Sequence, residues 1–153
     1  MKRFEKILLA TDFSDYSEVA CEYALSLART FNSSILALHV INEPVDLRGF
    51  YVPHISFEQL EKEIESSADQ MLERFCKEHL QEFDSYRTMT VSGVPYEEII
   101  RVATEQESSL IVIGTHGRTG LDHLIFGSTA ERVVRGAPCP VMTIRLPAES
   151  RPA

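Results

Sequence analysis

Four glycines lie close together in the C-terminal third of the chain, between an apolar run and a predicted helix. They are Gly114, Gly117, Gly120 and Gly127, and Ser128 and Thr129 follow directly. Because glycine has no Cβ, backbone N–H groups at such positions can approach an anion closely. A helix beginning near Ser128 adds the unpaired N–H donors and partial positive charge of its N-terminus. These residue types predict a phosphate-binding loop.

The same residues also have an interpretation that needs no ligand. Glycines after a strand commonly serve turn geometry, and Ser128 with Glu131 fits the S-x-x-E pattern of a capping box. The two interpretations are compatible, because Ser128 can cap the helix when the site is empty and contact a phosphate when it is full.

The glycine spacing differs from the two common phosphate-binding motifs. No Gly-Lys pair occurs in the chain, which excludes a P-loop, and G-x-x-G-x-x-G after a late strand is not the dinucleotide fingerprint. A cation for the phosphates must therefore come from Arg118, His116 or His123. Arg118 is favoured, since its planar guanidinium matches phosphate oxygens.

The elements that must position this loop alternate between strand and helix patterns. Apolar runs predict buried strands at residues 7–10, 35–41, 110–113 and Val141–Ile144, and an alternating pattern predicts an edge strand at 86–91. Apolar stripes predict helices at 16–31, 57–80, from Pro95 onward and at 128–135. The first two stripes include Tyr23, Phe31, Phe57 and Met71. The fold class predicted is doubly wound α/β, with a parallel sheet of about five strands and helices on both faces.

This topology indicates where a ligand binds. In such sheets, ligands bind outside the carboxyl ends of the strands, where the strand order reverses. If the first strand is central, that point lies between the ends of the first and fourth strands. The first runs into Thr11 and Asp12, and the fourth runs into Gly114. An aspartate there can accept hydrogen bonds from ribose hydroxyls.

Composition and charge exclude several other classes of protein. The 153 residues, of which 44% are hydrophobic and 25% charged, fit a single globular domain over residues 1–153. A net charge of -8 repels nucleic acid, so no nucleic-acid partner is expected. Without a membrane-length apolar run or signal-peptide pattern, we expect no membrane association and a cytoplasmic location. The cysteines, Cys21, Cys76 and Cys139, are expected to be buried or half-buried free thiols.

Together these residues resemble a known family. The spacing G-x2-G-x9-G-S, formed by Gly114, Gly117, Gly127 and Ser128, resembles the nucleotide-binding signature of the universal stress proteins. The segments KILLATDFSDYSEVA, LALHVI, GTHGRTG and APCPVMTI are also similar to that family, so the likeness covers nearly the whole chain. The resemblance implies a flavodoxin-like (Rossmann-like) α/β domain of the branch that binds ATP, because the glycine motif is intact.

Carried over by position, the resemblance implies a set of contacts to ATP or ADP. Asp12 would hold the ribose or adenine side, Ala10 and Thr11 would line the pocket, and Val40 would meet adenine through its backbone. Mg2+ would be held mainly by the nucleotide and water, since no dedicated carboxylate cage is evident beyond Asp12. The phosphates would be held by Gly114, Gly117, Gly127, Ser128 and Thr129, with Arg118 at a position that is often basic in the family.

The resemblance also implies a homodimer, in which the last strand, Val141–Ile144, pairs with its twin across a two-fold axis. This strand is short and apolar, and an exposed strand edge is a liability unless it is covered.

Three functions fit these observations. The first is a nucleotide-binding regulatory or signalling protein of the stress response, in which ATP shapes the loop at 42–56 and thereby the binding of protein partners. The second is a slow ATPase, but the candidate bases His116, His123 and Asp122 have no orienting partner in the sequence, so no catalytic residue is assigned. The third is an interaction module with an empty pocket, against which the intact glycines count.

Two further histidine interpretations complete the set of candidate residues. The spacing of His116 and His123 fits no standard ligand pattern, so no metal site built from protein ligands is assigned. His39 lies within a predicted buried strand and is interpreted as a hydrogen-bonded core residue.

Overall fold

The computed structural model describes residues 3–42, 56–117 and 126–147. Five strands are formed by short apolar runs: β1 Lys6–Ala10, β2 Ser34–Ile41, β3 Tyr86–Ser92, β4 Leu110–Gly114 and β5 Val141–Ile144. Each overlaps a predicted strand, with ends that differ by a residue or less. The loop predicted at 42–56 lies outside the described residues apart from Asn42 and Ser56.

In the described residues, four helices connect or follow the strands: α1 Asp15–Phe31, α2 Phe57–His79, α3 Pro95–Glu105 and α4 Ser128–Gly136. Serine side chains start the first two, since Ser14 accepts a hydrogen bond from the backbone of Ser17 and Ser56 from that of Gln59. Pro95 occupies the first turn of α3, where its missing N–H costs nothing.

All strand pairs are parallel, in the order β3-β2-β1-β4-β5. The predicted α/β class, the central first strand and the edge position of β3 are therefore confirmed. The strand order reverses between β1 and β4, which pair in the register Ile7↔Leu110 and Leu9↔Val112. The carboxyl ends of these two strands consequently open onto the same edge of the sheet.

Both faces of the sheet are covered, because alternate side chains of each strand point to opposite faces. Ile7, Leu9 and Val112 pack with residues of α1 and α2 in one core cluster. Leu8, Ile111 and residues of α3 and α4 form the other. Burial on both sides explains why the central strands are continuous apolar runs.

The predicted helix stripes are wrong at four aromatic or large apolar positions. Tyr23 and Phe31 on α1 and Phe57 and Met71 on α2 are exposed, with Phe57 at 72%. A helix in a two-layer packing buries a narrow face, and small residues such as Ala20 and Ala24 occupy that face of α1. The spacing of apolar residues alone therefore predicted a buried face on α1 and α2 that is wider than the observed one.

Candidate functional site

A cavity of about 330 Å³ opens at the carboxyl edge of the sheet, at the switch point between β1 and β4. All the predicted site residues except Arg118, which lies outside the described residues, line it. They are Ala10, Thr11, Asp12, Val40, Gly114, Gly117, Gly127, Ser128 and Thr129.

Several other residues complete the lining, and of these the sequence had singled out His116, as a candidate cation for the phosphates. Thr115 and His116 belong to the glycine loop itself, so their place in the chain was a usable signal. Others arrive from α3 and from the second strand only through tertiary packing. The additional residues are Ser17, Leu38, Asn42, Pro95, Ile99, Ile113, Thr115, His116 and Ala130.

Asp12 is held in a defined orientation at the start of α1. Its Oδ1 accepts hydrogen bonds from the Ser17 hydroxyl at 2.8 Å and the Ser14 backbone N–H at 3.1 Å. The backbone N–H of Asp12 in turn donates to Ser17 Oγ at 3.0 Å. These short-range contacts preorganise the carboxylate before any ligand arrives.

The residues on either side of Asp12 are held just as firmly. The buried Thr11 backbone N–H donates to the Leu38 carbonyl at 2.9 Å, and the Thr11 carbonyl accepts from His39 Nδ1 at 2.8 Å. Because a carbonyl only accepts, His39 Nδ1 carries the proton. The prediction of His39 as a hydrogen-bonded core residue is confirmed. Phe13 follows with a φ of 67°, a left-handed conformation that is rare for a bulky side chain.

Two of the glycines of the G-x2-G-x9-G-S motif are required by contacts within the protein. A Cβ at Gly114 would lie 2.7 Å from Tyr16 Cβ, so this glycine allows α1 to approach β4. A Cβ at Gly117 would collide with Oδ2 of Asp12. Gly117 thus leaves room for the Asp12 carboxylate beside the loop backbone, in addition to any role toward an anion.

Helix α4 begins one residue earlier than a capping box at Ser128 and Glu131 would require. Gly127 is its N-cap, with a carbonyl that accepts from Glu131 N–H at 3.1 Å, and Ser128 is already helical. No side chain caps the helix, so the Ser128–Glu131 capping-box prediction is wrong. The reason is a tertiary contact: Gly127 N–H donates to the Thr115 carbonyl at 2.7 Å and fixes where the chain turns. Ser128 is therefore left to line the cavity.

The described lining mixes polar and apolar residues and is poor in positive charge. Among the described lining residues, Asp12 is the carboxylate, and no lysine or arginine occurs. His116 is buried, with Nδ1 3.1 Å from Thr115 Oγ1 and its ring 5.1 Å from that of Tyr16. The helix N-terminus at Ser128 is the clearest electropositive feature of the described cavity.

Metal-binding and nucleophilic chemistry have little support in the described residues. Within 3–42, 56–117 and 126–147, no three His, Cys, Asp or Glu side chains gather closely enough to hold a metal ion. The prediction of buried or half-buried free thiols is confirmed. Burial raises the pKa of Cys21 to about 12 and that of Cys76 to about 11, so both stay protonated near neutral pH.

A second cavity of about 330 Å³ opens at the opposite, amino edge of the sheet. Its two cations already bind Gln106, the C-cap residue of α3: Lys6 Nζ donates to the Gln106 carbonyl at 3.3 Å, and Arg87 Nη2 donates to Gln106 Oε1 at 3.1 Å. They offset the partial negative charge of that helix end. The carboxyl edge remains the better candidate, in agreement with the switch-point rule.

These features of the described residues define a class of protein: an α/β protein with a five-stranded parallel sheet and a cleft where the strand order reverses. The sequence model of the universal stress protein family matches residues 3–145. The chain belongs to the universal stress protein family. None of the helices in the described part of the chain combines the length and apolar composition of a membrane span.

Individual relatives agree with this assignment. The universal stress protein MJ0531 of Methanocaldococcus jannaschii is 34% identical over 94% of this chain and 84% of its own length. The solved structure of MJ0577, from the same organism, is similar with a TM-score of 0.80 and 27% identity, covering 95% of this chain and 99% of that one.

A universal stress protein from Archaeoglobus fulgidus, solved in complex with dAMP, has a TM-score of 0.55 and 21% identity, covering 94% of this chain and 99% of that chain. At this identity the likeness shows the fold alone.

Proposed function

We propose that this protein binds an adenine nucleotide, ATP in preference, in the cleft between β1 and β4, and acts as a nucleotide-responsive regulatory protein of the stress response. The observation that carries the proposal is the convergence on one cavity of Asp12, the glycine loop and the N-terminus of α4. A carboxylate suits ribose hydroxyls, and a helix N-terminus suits phosphate, so the cavity offers both ends of a nucleotide a matching group.

The dAMP complex of a family member supports an adenine nucleotide as the ligand class. Adenine would lie toward Val40 at the end of β2, ribose toward Asp12, and the phosphates toward Gly117, Ser128 and Thr129. Mg2+ would bind together with the nucleotide. Asp12 is the carboxylate of the described lining, so phosphate oxygens and water would supply most of the metal ligands.

The first experiment identifies what the purified protein carries. Denaturing fresh protein and analysing the supernatant by chromatography and mass spectrometry should release ATP or ADP, close to one per chain. Stripped protein should then bind ATP in a calorimetric titration. A preparation that releases no nucleotide and gives a flat titration would overturn the proposal in favour of an interaction module with an empty pocket.

A second candidate, slow hydrolysis of the bound nucleotide, is favoured by one observation. His116 lines the cavity and has an orienting partner in Thr115 Oγ1, which the sequence did not reveal. Phosphate release should be followed over a single turnover in the native protein and in His116→Gln. Equal rates in the two proteins would exclude His116 as a base, and no release from either would leave binding alone.

We also propose that the protein forms a homodimer through β5. The strand lies at the end of the sheet order and pairs only with β4 among the described strands. Val141, Met142 and Thr143 are half-buried rather than buried. An apolar strand with an open edge favours pairing with a second copy.

A further inference from the structure

Arg132 lies one turn into α4, four residues after Ser128 and three after Thr129. Residues at these spacings share one face of a helix. Long side chains on helices also point back toward the helix N-terminus. Arg132 therefore lies on the face of α4 that carries Ser128 and Thr129, two residues that line the cleft.

The guanidinium of Arg132 lies over an aromatic ring whose neighbours in the chain line the cleft. Its Cζ lies 4.8 Å from the ring centroid of Tyr96, the second residue of α3. Pro95 and Ile99, on either side of Tyr96 in the same helix, line the cavity. The Tyr96 hydroxyl donates to Glu97 Oε1 at 3.0 Å, which orients the ring.

Arg132 differs from the other arginines of these two helices in its electrostatic partners. Arg101 pairs with Glu98 and Glu105 at 2.6 and 2.8 Å, and Arg135 pairs with Glu131 at 2.8 Å. No carboxylate oxygen of the described residues lies within 4.0 Å of Arg132. The Tyr96 ring is half-buried, and a cation–π contact with it is weaker than a charge-assisted hydrogen bond, so a phosphate can draw the guanidinium away from it.

The part of the cleft that the structure describes contains no such cation. Its described lining offers a phosphate chain the N–H groups of α4 but no lysine or arginine. Charge accumulates along a polyphosphate with distance from the ribose. A group that approaches from outside the glycine loop would meet the distal phosphates first, and guanidinium binds two phosphate oxygens at once.

We propose that Arg132 is a phosphate-binding residue that leaves Tyr96 to bind the distal phosphates of a nucleoside triphosphate, and so makes the cleft prefer ATP to AMP. The inference rests on the proposed function of the cleft. The contact with the Tyr96 ring keeps the Arg132 side chain ordered and close to the site when no phosphate is bound.

The test compares Arg132→Gln with Arg135→Gln, a control that removes the same charge from the same helix. Affinities for ATP, ADP and AMP are measured by calorimetry at fixed magnesium and salt concentrations. Arg132→Gln should weaken ATP binding by about tenfold or more, the loss expected for a charge-assisted hydrogen bond, and AMP binding by less than about twofold. Arg135→Gln should leave all three affinities unchanged, and Arg132→Lys should recover part of the preference.

The outcomes separate this inference from the proposed function. If the native protein binds ATP and Arg132→Gln changes ATP and AMP affinity equally or not at all, Arg132 has no role toward the distal phosphates, while the nucleotide site stands. If the native protein binds no adenine nucleotide, the proposed function fails and the role of Arg132 fails with it. Thermal unfolding of each variant checks that the exposed substitutions leave the fold intact.

Discussion

At the scale of single residues, the Asp12 carboxylate lies so close to the backbone of Gly117 that residue 117 has no room for a side chain. Oδ1 of Asp12 accepts hydrogen bonds from Ser14 and Ser17, and a Cβ at residue 117 would collide with Oδ2. Any side chain at 117 must therefore displace a carboxylate that two hydrogen bonds hold in place. This contact gives Gly117 a structural reason beyond the approach of a phosphate.

The variant Gly117→Val should lose ATP binding by at least about tenfold, because a branched side chain both displaces Asp12 and fills the loop side of the cleft. The variant should still unfold cooperatively but at a lower temperature than the native protein, because the displaced carboxylate weakens its hydrogen bonds to Ser14 and Ser17. The matched control is Gly136→Ala at the end of α4, where the added Cβ meets only the movable tip of Ile100. Unchanged ATP affinity in Gly117→Val would discard the site assignment.

At the scale of elements, adjacent residues of helix α2 lie on opposite sides of the boundary between core and surface. Leu72 is fully buried among α1, β1 and β2, whereas its chain neighbour Met71 is 44% exposed. The remaining buried residues of α2 are Ala68, Phe75 and Cys76, which lie on the same face as Leu72.

Truncating these neighbours should therefore have unequal effects. Leu72→Ala should lower the free energy of unfolding by about 2–5 kcal/mol, since it leaves a cavity in a packed core. Met71→Ala should lower it by less than about 1 kcal/mol, because the side chain is largely in solvent. Urea denaturation measures both. Similar losses in the two variants would show that α2 packs with a different face.

The contact between α1 and α2 also carries a pH dependence. Burial raises the pKa of Cys21 from 9.0 to about 12, so as pH rises the unfolded chain loses this proton before the folded protein does. The Cys21 contribution to stability is fully present below pH 9 and is lost as pH rises toward the folded value. The free energy of unfolding should fall less between pH 8 and about pH 10 in Cys21→Ala than in the native protein. An identical fall would mean that the thiol is solvated.

At the scale of the whole molecule, the open edge of β5 decides whether two copies can join their sheets. The carbonyls of Pro140 and Ile144 bond to β4, at Ile111 and Thr115. Because backbone groups alternate in direction along a strand, those of Val141 and Thr143 face the open edge.

Thr143→Pro should therefore abolish the proposed homodimer while sparing the bonds between β4 and β5, since proline removes a donor only from the open edge. Thr143→Val keeps the N–H group and serves as the control. Light scattering at micromolar concentration should report a dimer for the native protein and the valine variant and a monomer for the proline variant. A monomeric native protein would end the dimer proposal.

The elements and their order in the chain were predictable from the sequence, because their causes are local or compositional. Strands buried on both faces must be apolar runs, and the helices between them show their own periodicity and start signals. The α/β class then places a cleft at the carboxyl ends of β1 and β4, so Asp12, Gly114 and Ser128 could be assigned to one site before any geometry was known.

Only the tertiary structure decided which residues from different elements meet. Three features depend on contacts between distant parts of the chain. They are the close approach of Gly117 to Asp12, the N-cap of α4 at Gly127 and the contact of Arg132 with the Tyr96 ring. The left-handed backbone conformation of Phe13 also depends on distant residues, because its ring packs against His39 and Phe75. Each residue's type and spacing limit its possible partners, but packing selects one, and that selection determined the geometry of the cleft.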